Sequence, residues 1–357
     1  MDKVAREKTR FRTFQQKDYL DLQISGALKG WLAVCVLASH AIPAAGIFAG
    51  SIINPLVASL GYLSVSVFFF LSGFGIMAQW ERRKEAYLDC FLRTRVLSHY
   101  LLNVFLIVIY SLFAIFVGKN FSLIEFLQSF AIGSTIVSNG WYMQVLLLFY
   151  LLWYVCAKTL APSKQAFLIT VSVLVLGYMI VGFCFMTSTW WESSLSFLLG
   201  IFWQRNKEKI DNIIFKSKKQ WIVLLCLSVI SFSGFFLLAN INLLSGNAFL
   251  NTIVRMTAKS ISSPIFVALV LFVCMSLPIK WFLSWPISRF LGNVSLEIYV
   301  LQGIPLAILR NHVSVENGWI YIMFVVLGTA LLVVFLRPII RFIIFIPKKV
   351  LLLSKAT

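Results

Sequence analysis

Residues 61–80, GYLSVSVFFFLSGFGIMAQW, form a run of 20 residues without a single charged side chain. A helix of about 20 apolar residues is long enough to cross the hydrocarbon core of a bilayer, which is about 30 Å thick. Backbone groups have no water to bind in hydrocarbon, so such a run is expected to be an α-helix. This stretch therefore predicts an integral membrane protein.

The rest of the chain has the same character. Of its 357 residues, 60% are hydrophobic and only 12% are charged, and the mean hydropathy is +0.90. Soluble domains carry about twice that charged fraction, so this composition argues against a soluble fold. We expect an all-α bundle of about ten transmembrane helices, at about 28–48, 61–80, 96–117, 140–157, 166–183, 191–204, 221–240, 260–278, 290–309 and 319–337.

Basic residues are distributed unevenly between these spans. If the N-terminus is cytoplasmic, 26 of the 31 Lys and Arg fall in inner segments, which is the positive-inside pattern. We therefore predict a multi-pass cell-membrane protein with both termini in the cytoplasm. The predicted parts are a basic segment (1–27), a transmembrane domain (28–337) and a basic tail (338–357). Membrane lipid is an expected partner, whereas short basic runs between apolar stretches disfavour nucleic acid.

Two ionisable residues share the first predicted span. Lys29 and His40 are eleven residues apart, which places them on one face, about 16 Å from each other along the helix axis. Ionisable groups inside a membrane are costly and are functional candidates, and a His can act as a general base near neutral pH. The alternative is a His that is hydrogen-bonded for packing and a Lys that extends towards the headgroups.

The other polar candidates leave their roles open. Arg93 and Arg95 belong to a basic cluster that could hold the phosphates of a cytoplasmic cofactor or bind anionic lipid. Glu297 is expected to be protonated or paired, and Lys29 is one conceivable partner. Ser72 stands beside a glycine and is interpreted as a close-packing residue. The His and Cys residues show no ligand spacing, so no metal site is expected.

Six blocks of the sequence, taken in order, resemble the motifs of the acyltransferase family 3 membrane proteins. They are LKGWLAVCVLASH (28–40), VSVFFFLSGFGI (65–76), FLRTRVLSHY (91–100), GWYMQVLLLFY (140–150), SLSFLLGIFWQR (194–205) and FLGNVSLEIYVLQ (290–302). Two positions depart from the family pattern. Ser98 stands where the R-x-x-R motif has its second Arg, and Gln302 stands where many members have His.

The resemblance implies a function and a set of site residues. It implies an acyltransferase that moves an acyl group, usually acetyl, from cytoplasmic acyl-CoA to a hydroxyl of a cell-surface or exported polysaccharide. Acyl-CoA would be a donor substrate and not a permanently bound cofactor. His40 and Lys29 would be catalytic, and Arg93, Arg95 and Lys29 would bind the donor. The residues Glu297, Ser72, Trp141 and Gln302 lie within the matching blocks and are further candidates.

Two other functions remain open from the residues alone. A transporter or flippase for a glycan or lipid-linked sugar would also need many helices and intramembrane charges. A scaffold of a polysaccharide assembly complex would tolerate the loss of Lys29 and His40. Transfer of label from acetyl-CoA distinguishes the enzyme from both alternatives.

Overall fold

The computed structural model describes residues 19–51, 53–118, 121–160, 163–241, 246–312 and 317–353. The first 18 residues of the predicted basic segment 1–27 and residues 354–357 of the predicted tail therefore lie outside the described part of the chain. Within the described ranges the secondary structure is helical and contains no β-strand. The predicted all-α class is confirmed.

Fifteen α-helices are interrupted by one π-helical and one 3-10 segment. They are α1 (Leu22–Ala44), α2 (Ile53–Arg83), α3 (Glu85–Phe91), the π-segment (Leu92–Leu97), α4 (Ser98–Phe116), α5 (Leu123–Gln128), α6 (Trp141–Leu160), α7 (Lys164–Phe185), the 3-10 turn (Ser188–Trp190), α8 (Leu195–Arg205), α9 (Lys207–Ile214), α10 (Lys218–Asn240), α11 (Ala248–Cys274), α12 (Leu277–Leu283), α13 (Pro286–Leu301), α14 (Gly303–His312) and α15 (Gly318–Leu353).

Eight helical stretches in the described ranges are long and apolar enough to cross a membrane, and the pair α13 and α14 makes a ninth if it counts as one bent span. The predicted span 191–204 differs from this group. Residues from Trp191 form a turn, and α8 begins only at Leu195 and has 11 residues. Such a helix rises about 16 Å, roughly half of the hydrocarbon thickness. The polar sequence Glu192-Ser193-Ser194 favours the turn.

The predicted span 290–309 is bent by 42° between α13 and α14. Pro305 provides the physical reason, because it has no backbone N–H and its ring clashes with the carbonyl of Leu301, four residues earlier. Gln302 occupies the break itself. The bend therefore places a polar side chain at the point where the regular helix stops.

The last span is much longer than predicted. Helix α15 continues through Pro338 and Pro347 to Leu353, so most of the predicted tail 338–357 extends the same helix. Residues 85–95, between the predicted spans 61–80 and 96–117, are helical too. The backbone of Lys84, with φ of 50°, separates α2 from α3.

The chain divides into two compact units. The first unit comprises Tyr62–Ala78, Trp191–Asn293 and the described part of Met1–Leu32. In it α10 packs along α11, and α8 also packs against α11. Helices α2 and α8 approach closely at two glycines, because a Cβ added to Gly73 would collide with the Phe197 carbonyl and one added to Gly200 with that of Phe70.

The second unit comprises Ala33–Gly61, Gln79–Trp190 and the described part of Val294–Thr357. Helix α15 packs against α4, the π-segment and α14. A buried apolar cluster joins α1 to α14 and α15, and its members are Leu37, Ala41, Leu309, Tyr321 and Val325. A second centre is the fully buried Trp153 ring, which contacts Trp80 and Phe91. These contacts hold the elements that carry most of the candidate site.

Candidate functional site

His40 lies near the end of α1, in the second unit, and its side chain is accessible. Its ring interacts with the side chain of Asn139. Asn139 directly precedes Gly140 and helix α6, 99 positions further along the chain. The imidazole is therefore held by a partner on one side while part of its surface stays open.

The backbone of Asn139 adopts a left-handed conformation with φ of 62°. Among residues with a side chain, Asn adopts this conformation at low cost. The next residue must be small, since a Cβ on Gly140 would lie 2.8 Å from the Cβ of Val137. The Ser-Asn-Gly sequence thus forms the tight turn that brings the amide to His40.

Helix α13 holds this turn from the other side. The Tyr299 hydroxyl donates to the backbone carbonyl of Asn139 at 3.2 Å. The Tyr299 ring is buried and meets the Tyr142 ring edge-on, with centroids 5.4 Å apart. The Tyr110 hydroxyl donates to the carbonyl of the next residue, Val300, at 2.8 Å. Asn139 is therefore held in place by Tyr299 of α13. Tyr299 is held in turn by the Tyr142 ring of α6, and α13 by Tyr110 of α4.

Gln302 lies three residues beyond Tyr299, at the bend. Its Nε2 donates to the Tyr299 carbonyl at 3.1 Å, and its side chain is fully buried. Its Oε1 has no hydrogen-bond partner among the described residues. An unpaired buried acceptor costs about 1–3 kcal/mol, so a donor group that reached this oxygen would be bound favourably.

Trp141 begins α6 two residues after Asn139. It is half-buried, and its ring meets that of Tyr142 edge-on at 6.4 Å. The structure thus connects His40, Trp141 and Gln302 of the sequence-predicted set through Asn139 and Tyr299. Sequence reasoning missed Asn139 and Tyr299, although the Asn139-Gly140 pair is a recognised turn signal.

Arg93 and Arg95 lie on the π-segment. Arg93 is exposed, whereas Arg95 is half-buried beside the rings of Tyr87 and Tyr150. Single π-helical turns within α-helices are rare and frequently occur at functional sites. The two guanidinium groups are in the same unit as His40 and could bind phosphate oxygens.

Ser98 explains one departure from the family pattern. Its side chain is buried, and its Oγ donates to the Ile344 carbonyl of α15 at 3.2 Å. A guanidinium at this position would have to displace the last helix. The same helix supplies Arg341, one turn before Ile344, close to the π-segment on which α15 packs.

Glu297 is fully buried on α13. The Arg341 guanidinium donates to its Oε1 at 2.6 Å and to its Oε2 at 3.3 Å. Arg337 lies one turn earlier on α15, with its Nε 3.8 Å from Oε1. Glu297 was expected to be protonated or paired, and the structure shows it paired. These two partners come from α15 and are not Lys29, the partner that the sequence suggested.

Lys29 and Ser72 belong to the first unit. Lys29 is half-buried on α1, next to Gly30, where an added Cβ would collide with the backbone of Leu291 and Gly292. The Ser72 Oγ donates to the Phe68 carbonyl of its own helix at 2.8 Å. This bond and the adjacent Gly73 contact agree with a packing role for Ser72.

No group of three or more His, Cys, Asp or Glu in the described ranges is placed to hold a metal ion. The arrangement in the second unit provides instead an accessible imidazole beside an amide side chain, an unpaired amide oxygen and two arginines. Such a set can accept a proton and bind an anionic group.

Comparisons with known proteins give one match. The sequence model of a family described as an acyltransferase domain, acyltransferase family 3, matches residues 19–337. A search of curated proteins gave no match, and neither did a search of solved structures.

Proposed function

The chain belongs to acyltransferase family 3, and from this premise we propose that it transfers an acetyl group from cytoplasmic acyl-CoA to a hydroxyl of a cell-surface or exported polysaccharide. The family and the apolar helices make it an integral membrane acyltransferase. The donor, the acceptor and the position in the cell membrane are the proposed part. Family membership favours this reaction over the transporter and the scaffold.

One observation carries the proposal: the accessible His40 ring interacts with the side chain of Asn139. A base oriented by a third group is the arrangement that activates hydroxyl nucleophiles in acyl transfer. If the Asn139 carbonyl oxygen accepts the N–H of one ring nitrogen, the other nitrogen carries the free lone pair of a base.

The proposed reaction proceeds in two proton-coupled steps. His40 removes the proton from the acceptor hydroxyl as its oxygen attacks the thioester carbonyl, which forms a tetrahedral oxyanion. The C–S bond then breaks, the sugar ester is released, and the CoA sulfur takes the proton from the imidazolium. We assign two polar groups to orienting the substrates. They are the unpaired Oε1 of Gln302 and the indole N–H of Trp141.

Donor binding is assigned to the basic π-segment. The exposed Arg93 and the half-buried Arg95 are proposed to bind the phosphates of acyl-CoA, because a guanidinium can bind phosphate oxygens through two parallel bonds. Arg341 is paired with Glu297 and lies on the helix that packs on this segment. For Lys29, the support for a donor-binding or catalytic role is its place in the family motif.

The experiment uses membranes that contain the full chain, labelled acetyl-CoA, and polysaccharide from the producing cells after removal of its esters with mild alkali. We expect His40→Ala to lower transfer by about 10²–10⁴-fold at an unchanged amount of membrane protein. Gly75→Ala serves as the control, because a Cβ at Gly75 meets nothing within 4 Å, and it is expected to retain most activity. Transfer by the His40→Ala variant would contradict the catalytic assignment. Absence of transfer by the wild type would contradict the proposed reaction.

A further inference from the structure

The first unit contains a buried carboxylate that lacks the usual partners. Glu192 lies in the turn before α8, and its side chain is 2% exposed. The Lys259 ammonium of α11 is 3.6 Å from its Oε2, beyond hydrogen-bonding distance, and this oxygen has no hydrogen-bond partner among the described residues. Burying a carboxylate is costly unless its oxygens are bonded, so this one is poorly compensated by the protein alone.

Tyr62 connects Glu192 to the helices around it. The Lys259 ammonium lies over the Tyr62 ring, 5.3 Å from its centroid, and the Tyr62 hydroxyl is 3.4 Å from the Ser262 Oγ. The same hydroxyl interacts electrostatically with Glu192. The Ser193 Oγ donates to the Tyr62 carbonyl at 3.2 Å. Residues of α2, α11 and the turn before α8 therefore meet at one place.

Several hydroxyl groups on these segments are buried and unpaired. The Oγ atoms of Ser194, Ser260 and Ser263 have no hydrogen-bond partner among the described residues. Ser263 follows Lys259 by four residues, so both lie on one face of α11. Pro264 lacks the N–H that would otherwise bind the Ser260 carbonyl. The region thus offers donors and acceptors that the protein leaves unused.

A second Lys–Tyr–carboxylate group in the same unit has all of its hydrogen bonds made within the protein. The Lys207 ammonium lies over the Tyr19 ring at 4.9 Å, as Lys259 lies over Tyr62. There, however, Lys207 and the Tyr19 hydroxyl both donate to Asp211, and the Trp203 Nε1 donates to Tyr19 at 2.8 Å. All members of that group are satisfied by the protein, which is the signature of a structural ion pair.

We propose that Tyr62, Glu192, Lys259 and Ser263, termed the Glu192 cluster, bind a neutral polyhydroxyl ligand, the saccharide acceptor. The identification as acceptor rests on the proposed function. The charges of Glu192 and Lys259 cancel, which disfavours phosphate and cations as ligands. A sugar supplies hydroxyls that donate to Glu192 and accept from Lys259 and Ser263. The Lys259 side chain is 31% exposed, so the cation of the pair faces the surface of the cluster.

The test measures equilibrium binding of a saccharide to the purified full chain in nanodiscs, without acetyl-CoA. The probe is polysaccharide from the producing cells, freed of esters by mild alkali and radiolabelled. We expect Glu192→Gln to weaken binding by about tenfold or more, because the acceptor for sugar hydroxyls loses its charge. Ser263→Ala removes no hydrogen bond found among the described residues, so it is expected to keep the thermal stability and weaken binding about threefold.

Asp211→Asn is the matched control, because it alters the completed ion pair of the same unit. It is expected to lower the melting temperature and leave saccharide affinity unchanged. Wild-type affinity in both Glu192→Gln and Ser263→Ala would overturn the proposal, as would an equal loss in all three variants. Displacement of the probe by excess inorganic phosphate would identify an anion site and overturn it too.

The acetyl-transfer assay separates this inference from the proposed function. Wild-type binding that depends on Glu192, combined with no transfer from acetyl-CoA, would reject the reaction but support the saccharide site. Wild-type transfer without any binding of the probe, or with binding that is independent of Glu192, would reject the site and leave the reaction standing.

Discussion

The Arg341 guanidinium spans both carboxylate oxygens of Glu297, with Nε 2.6 Å from Oε1 and the second bond at 3.3 Å. The carboxylate is fully buried, whereas the Arg341 side chain is 51% exposed. The pair therefore fastens α13, which carries Tyr299, to the final helix of the same unit. Its main contribution is expected to be the position of α13.

Glu297→Gln tests this link. Breaking a buried ion pair costs about 3–5 kcal/mol, and the exposure of Arg341 reduces this, so we expect a loss of about 1–3 kcal/mol. The melting temperature of the purified protein in detergent should fall. A double-mutant cycle with Arg341→Met provides the control, since the second change should cost little once Glu297 is gone. Additive losses would show that the two side chains do not interact.

The backbone role and the side-chain role of Asn139 can be tested separately. Asn139→Gly keeps the left-handed turn at low cost but removes the group that binds His40. We expect normal thermal stability and an acetyl-transfer kcat lowered by about 10–100-fold, because the imidazole loses its orientation. Asn139→Asp retains an acceptor oxygen and should keep more activity than the glycine variant. Equal activity of Asn139→Gly and the wild type would contradict the role of the amide.

Arg95 is expected to act on the donor. Arg95→Ala removes a guanidinium from the π-segment, so the KM for acetyl-CoA should rise about tenfold or more while the KM for the saccharide stays the same. Arg95→Lys keeps the charge but not the planar donor pair and should give an intermediate KM. An unchanged donor KM in both variants, measured by initial rates, would favour a lipid contact instead.

Ser98→Arg restores the family motif, yet the structure predicts damage. The new side chain would have to enter the contact between Ser98 and the Ile344 carbonyl of α15. We expect a destabilisation of about 1–3 kcal/mol from overpacking and no improvement in the donor KM. Thermal unfolding in detergent measures the first and initial rates the second. A stable variant with a lower donor KM would contradict this expectation and show that α15 can shift to accommodate the arginine.

Two glycines of the sequence SGFG form a matched pair. Gly73→Ala would collide with the Phe197 carbonyl of α8, whereas a Cβ on Gly75 meets nothing within 4 Å. We expect Gly73→Ala to reduce the amount of folded protein in the membrane. Gly75→Ala should be neutral or stabilise the helix by up to about 1 kcal/mol. Size-exclusion chromatography of detergent extracts compares them, and equal yields would contradict the close contact.

The composition of single stretches was sufficient to predict the helical class. Runs such as 61–80 cross a bilayer by length alone, and the motif around His40 is contained within one helix. The stretch 191–204 was predicted to be a full span because its mean hydropathy is high, but α8 begins only after the polar triplet that starts at Glu192. The bend at Gln302 could have been anticipated from Pro305.

Partners that are distant in the chain could not be predicted in the same way. Asn139 lies 99 positions from His40, and Arg341 lies 44 positions from Glu297. The sequence alone identifies Arg341 only as a basic residue of the predicted tail 338–357. Nothing in the local pattern of either residue specifies which buried group it meets, because that depends on how helices pack. The open Glu192 cluster was missed for the same reason.

The length of α15 has a consequence for the lipid environment. Its 36 residues extend about 54 Å, far more than the hydrocarbon thickness of about 30 Å. The stretch from Gly318 up to Arg337 already covers about 28 Å, so a span that begins at Gly318 would bring Arg337 and Arg341 to the level of the headgroups. At that level, phosphate groups of anionic lipids would compete with Glu297 for the same guanidinium groups, and the attachment of α13 to α15 would then depend on bilayer thickness and lipid charge.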